Sequence, residues 1–109
     1  MKESEIKFKV SLDNENIPDK IEWDADEKEK RGYSETKSIS VSLWDSEQKN
    51  TLRIDLWTKD MPLDEMKIFF YQILTSMSST FKRATQDEKM SQTMLDFCDY
   101  FAEKLELKK

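Results

Sequence analysis

An α+β fold, a four-stranded antiparallel sheet followed by two C-terminal helices packed on one face (ββββαα), is predicted by a change of period within the chain. Leu52, Ile54 and Leu56 recur every two residues, as in a half-buried strand. After Asp60-Met61-Pro62 the apolar residues Leu63, Met66, Phe70, Ile73 and Met77 recur every three or four, as on one face of a helix. A second helical pattern follows, and no strand pattern comes after it. At 109 residues the chain is expected to be one two-layer domain, 1–109.

Taken in order, Ile6, Phe8, Val10 and Leu12 alternate with Lys7, Lys9 and Ser11, which gives a first strand ending in the turn-rich Asp13-Asn14-Glu15-Asn16. Pro18 opens a second strand in which Ile21 and Trp23 face one side, with Lys20, Glu22 and Asp24 on the other. The two read as a hairpin. Residues 24–36 form a charged run with the chain's single glycine, Gly32, and are expected to be a flexible loop. Ile39, Val41 and Leu43 define a third strand, Ser46 to Asn50 a polar turn, and Leu52, Ile54 and Leu56 the fourth.

The first helix has Pro62 in its first turn, Asp60 placed to accept backbone N–H bonds, and Asp64 and Glu65 where the helix dipole favours negative charge. Its apolar residues, from Leu63 to Phe81, cover about 140° of the helical wheel, wider than one neighbouring helix requires. Thr85 and Glu88 have the spacing of a capping box for a second helix. There Met90, Met94, Phe97, Cys98, Phe101 and Leu105 make a stripe of about 100°. Lys104, Lys108 and Lys109 stand near its end, where cations complement the dipole.

Composition narrows the function. Charged residues make up 38% of the chain and apolar ones 37%, so the core is thin and self-association would thicken it. The net charge of −5 disfavours nonspecific attraction to nucleic acid or anionic lipid. The chain has no histidine, which removes the usual triad base and the commonest metal ligand. One glycine rules out a G-x-G-x-x-G turn or a P-loop, so no cofactor is expected. The single cysteine, Cys98, has no thiol to pair with and lies on an apolar stripe, where a small core residue belongs. Paired carboxylates, Asp24 with Asp26 and Asp64 with Glu65, are accounted for by the charged loop and the helix dipole. No enzyme is expected. The first residues, Met-Lys-Glu-Ser-Glu-Ile-Lys-Phe-Lys, lack the apolar core of a secretory signal, and no apolar run approaches a bilayer span, so a cytoplasmic location is expected.

The candidate site is aromatic. If the third and fourth strands carry no bulge, Trp44 shares a face with Ser38, Ser40 and Ser42, and Trp57 one with Arg53 and Asp55. Trp44, Arg53 and Trp57 then form a surface of the kind that anchors protein interfaces. The competing reading has each indole fold round a strand end to cap the core, or a bulge reverse the parity. Ile68 and Tyr71 lie off the main stripe of the first helix and suggest a second contact surface. The methionines of the helical stripes read as core filler or as an adaptable groove.

Long strings of the sequence are less generic. Ile17-Pro-Asp-Lys-Ile-Glu-Trp23, Thr51-Leu-Arg-Ile-Asp-Leu-Trp-Thr-Lys-Asp-Met-Pro62, Asp87-Glu-Lys-Met90 and Leu95-Asp-Phe-Cys-Asp-Tyr-Phe-Ala-Glu-Lys104 resemble the gliding-motility-associated GldC family of Bacteroidetes. The resemblance implies a small cytoplasmic protein that supports gliding, with partners among motility or type IX secretion-linked components. It supplies no active-site residues. The expectation is therefore a non-enzymatic interaction protein, a homodimer, working through Trp44, Arg53 and Trp57. The alternative is a holdase chaperone for secretion clients, because the element order is also that of SecB-type chaperones.

Overall fold

The computed structural model describes residues 2–107, so Lys108 and Lys109, expected to complement the dipole of the last helix, lie outside the described residues. Five strands precede two helices: β1 (Ile6–Leu12), β2 (Pro18–Ala25), β3 (Ser34–Thr36), β4 (Ser38–Asp45), β5 (Asn50–Trp57), α1 (Leu63–Thr85) and α2 (Glu88–Lys104). The chain divides after Met61 into a strand unit and a helical unit, and each is described by itself.

The α+β class, the antiparallel strands and the two C-terminal helices are as predicted, but the single four-stranded sheet is not. The strands form a three-stranded sheet in the order β1-β2-β3 and a separate two-stranded sheet, β4-β5. The cause lies in the charged run. Ser34, Glu35 and Thr36 pair with Trp23, Glu22 and Ile21, so the edge of β2 that another long strand would need is taken by β3. Lys37 then carries the chain from one sheet to the other. The Thr58 N–H donates to the Lys37 carbonyl (2.9 Å) and extends the β4–β5 pairing by one residue pair, while the Lys59 N–H donates to the Pro18 carbonyl (3.2 Å) and joins the end of β5 to the start of β2.

Both predicted hairpins form. Phe8 pairs with Trp23 and Val10 with Ile21, and the register shifts only between Ser11 and Leu12. In the turn the Asp13 carboxylate accepts from the Glu15 and Ile17 N–H groups (2.8 and 3.0 Å), and Asn16 takes the left-handed conformation that asparagine tolerates, φ 62°. The same logic closes β4 to β5, where Asp45 accepts from Glu47 and Gln48 and Lys49 is left-handed. Ile21 is fully buried, whereas Ile6, Phe8 and Leu12 remain exposed. The core of the strand unit is as thin as the composition implies.

In the helical unit two capping expectations are corrected. Asp60 does not cap α1, because its carboxylate is engaged by the Lys37 ammonium (2.7 Å) and the Thr58 hydroxyl (2.6 Å). Helix α1 starts after Pro62 with no side-chain cap. Thr85 and Glu88 do not form a capping box either. Thr85 still belongs to α1 and its hydroxyl donates to the Phe81 carbonyl, while Asp87 caps α2 by accepting the Met90 N–H (2.9 Å). Gln86, left-handed at φ 61°, is the break between the helices.

The helices meet along small residues. Ser78, Ser91, Cys98 and Ala102 are all buried, and the Ser91 hydroxyl donates to the Ser78 carbonyl (2.9 Å). Cys98 thus occupies the core position expected of it. Larger apolar residues of the stripes, Leu63, Phe70 and Met77 on α1 and Met90 and Phe97 on α2, are exposed. Among the described residues no helix is long and apolar enough to cross a membrane.

Candidate functional site

The register of β4 with β5 runs without a bulge from Ser38↔Trp57 to Asp45↔Asn50. Side chains alternate across a strand, so an unbroken register assigns Ser38, Ser40, Ser42 and Trp44 to one face together with Trp57, Asp55, Arg53 and Thr51. Ile39, Val41, Leu43, Leu52, Ile54 and Leu56 occupy the other. Trp44 is 65% and Trp57 55% exposed, so neither indole is folded into the core. They stand at opposite corners of the ribbon, opposite Thr51 and Ser38, separated by six residues along the strands, roughly 20 Å.

Between them the polar side chains bond to one another. Arg53 donates from Nε to Asp55 Oδ2 (3.1 Å), from Nη1 to Ser42 Oγ (2.5 Å), and from Nη2 to both Ser40 Oγ (2.6 Å) and Asp55 Oδ1 (2.8 Å). The Ser40 hydroxyl in turn donates to Asp55 Oδ1 (2.7 Å). The bonds from Arg53, and after them the one from Ser40, hold the Asp55 carboxyl below its ordinary pKa, and the same pairing raises that of Arg53. Guanidinium and carboxylate neutralise each other, so this face is not an anion trap. It offers two exposed aromatic surfaces and a pre-ordered polar ladder between them.

Beside Trp57 lies a hollow of about 280 Å³ lined by Ile17, Pro18, Asp55, Leu56, Trp57 and Lys59. Of the other residues singled out in the sequence, Ile68 is exposed and Tyr71 half-buried on α1. The carboxylates of Asp24, Asp26 and Asp64 accept backbone N–H bonds from Ala25, Glu5 and Glu65, which occupies them locally. The sequence reading placed Ser40 and Ser42 on this face without assigning them a role. Their spacing is the only sequence signal of the ladder, because parity gives a face and not the rotamers that bond across it. Trp23, in the other sheet, lies under the Lys28 ammonium at 4.6 Å, a stacking that the sequence does not signal.

Fold and site together define a small α+β protein with an exposed aromatic and polar sheet face. The model of the family described as gliding motility-associated protein GldC-like matches residues 18–107, and the chain belongs to that family. This agrees with the resemblance carried by the Ile17–Trp23 and Thr51–Pro62 strings and gives the chain an association with gliding motility. No curated protein and no solved structure matches it.

Proposed function

We propose that this chain is a non-enzymatic cytoplasmic accessory protein that supports gliding motility by protein contacts made through the Trp44–Arg53–Trp57 face, and that it works as a homodimer. The observation that carries the reading is the pair of exposed indoles flanking an internally neutralised Arg53–Asp55 ladder. Large rigid aromatics at low entropy cost are the usual anchors of interfaces, and a pre-ordered polar strip between them reduces the ordering cost of binding. Its partners are proteins, among them motility or type IX secretion-linked components. The thin core of the strand unit is what a chain completed by association would have.

The test is complementation. Cells lacking the protein are given either the native chain or the Trp44→Ser/Trp57→Ser chain, and colony spreading is measured with cellular protein levels matched. The native chain restores spreading and the double variant does not. Equal restoration by both, with the variant's far-ultraviolet circular dichroism unchanged, removes the face from the function. Should the protein instead slow the aggregation of unfolded clients at equimolar ratio, the holdase reading replaces this one.

A further inference from the structure

Strand β5 has one paired edge and an outer edge that carries no paired strand, with Ile17 and Pro18 beside its Asp55–Trp57 end. It pairs with β4 alone. The Thr58 N–H bond to the Lys37 carbonyl continues the β4–β5 register and fixes the phase of the ladder. In an antiparallel pair the backbone groups of alternate residues turn inward and outward, so Leu52, Ile54 and Leu56 bond β4 while Thr51, Arg53, Asp55 and Trp57 turn theirs outward. Among the described residues no backbone bond reaches that outer edge between Thr51 and Trp57. Beyond it the Lys59 N–H is taken by Pro18. All four outward-turned residues are exposed. No proline, lysine or bulge blunts the stretch, and a two-stranded ribbon is marginal by itself.

The sequence of this strand is self-complementary about Ile54. Leu52 and Leu56 flank it, Arg53 and Asp55 carry opposite charges at equal distance, and Thr51 and Trp57 close the pattern. We propose that two copies of the chain pair antiparallel along the outer edges of β5 with Ile54 on the twofold axis, forming a continuous sheet β4-β5-β5-β4. The proposal rests on the homodimer of the preceding reading and names its edge and register. It is independent of the motility contacts.

In this register Arg53 of each copy lies opposite Asp55 of the other, and both pairs are built from outward-turned residues. Registers centred on Arg53 or on Asp55 set like charges directly opposite, which is unfavourable. Registers displaced by an odd number of residues set outward groups against groups already bonded to β4. Larger even displacements shorten the ladder. The chosen pairing also puts Trp44, Thr51 and the second copy's Trp57 in one row, so the aromatic face becomes continuous across the dimer.

The experiment is sedimentation velocity on the purified chain, with Arg53→Asp and Asp55→Arg measured separately and mixed. The native chain is a dimer. Each single variant sets like charges at both symmetry-related pairs, and its dimerisation weakens on the order of tenfold to a hundredfold. Mixing the two restores a dimer, because their heterodimer has opposite charges at every facing position. Restoration also excludes unfolding as the cause of the loss. Ile54→Cys in a Cys98→Ala background gives a second readout: twofold-related Cα atoms at a non-hydrogen-bonded position are about 4.5 Å apart, within disulfide reach, so mild oxidation yields a covalent dimer. The Arg53→Cys/Cys98→Ala chain, whose thiols are diagonal in this register, does not. A monomeric native chain overturns both the homodimer and this pairing. A dimer indifferent to charge, to mixing and to where along β5 the thiol is introduced overturns the pairing alone.

Discussion

Replacing Ile21 by alanine tests how much of the strand unit depends on one side chain. Ile21 is fully buried in β2, opposite Val10 on one side and Thr36 on the other. The substitution deletes three methyl or methylene groups, worth about 0.8 kcal/mol each or ~2.4 kcal/mol in transfer alone. The space left behind raises the loss to about 3–4 kcal/mol, inside the range for such truncations. Ile21→Val removes one group and costs about 1 kcal/mol. Ile6→Ala, in the neighbouring strand, is the control: Ile6 is 69% exposed, so about a third of the transfer value, ~0.7 kcal/mol, is at stake. In urea, with a slope near 2 kcal/mol per M, the midpoint falls by about 2 M for Ile21→Ala and about 0.4 M for Ile6→Ala. Tryptophan fluorescence and circular dichroism follow the transition. Equal shifts for the two alanine variants would refute the assignment of Ile21 as the centre of this core.

Three further outcomes follow from the geometry. Asp87→Ala removes the cap on the Met90 N–H and lowers helical stability by about 1 kcal/mol, read by thermal melts at 222 nm. Gln86→Gly relieves a left-handed residue at φ 61° and raises stability by about 0.5–1 kcal/mol in the same melts. The Asp60 carboxyl is held down to about 2 by the Lys37 bond first and then by the Thr58 hydroxyl, from an ordinary 3.8. A depressed folded-state pKa means that its contribution is complete above pH 3.8 and is lost as pH falls toward 2. Asp60→Asn therefore flattens the acid limb of the stability profile between those values and leaves its shape above pH 5 unchanged.

The parts of the fold that the sequence discloses are those with a period. Ile6 to Leu12 and Leu52 to Leu56 alternate because one side of each strand is apolar, and Asp13-Asn14-Glu15-Asn16 supplies both an Asx turn and a residue that accepts positive φ. Ser34-Glu35-Thr36 has no apolar side. It is held by backbone pairing to β2, so periodicity passes over it, and with it over the division into two sheets. The cap assignments fail for a related reason. Asp60 is a competent acceptor but is engaged by Lys37 and Thr58, 23 and 2 residues away, and Thr85 is still within α1 with its hydroxyl on the Phe81 carbonyl, which leaves Asp87 to cap α2. The candidate face was legible through parity, since the β4–β5 register contains no bulge. Its Arg53 to Ser40, Ser42 and Asp55 bonds were not, because they depend on side-chain rotamers. The unpaired outer edge of β5 is visible only once the ladder's phase is known.

The most direct test of the central claim is co-purification of the tagged chain from its native cells, with soluble and membrane fractions kept separate, beside the Trp44→Ser/Trp57→Ser chain. The account predicts that a small set of motility-linked proteins accompanies the native form and is missing from the double variant at equal yield. The same set retained by both chains would contradict it.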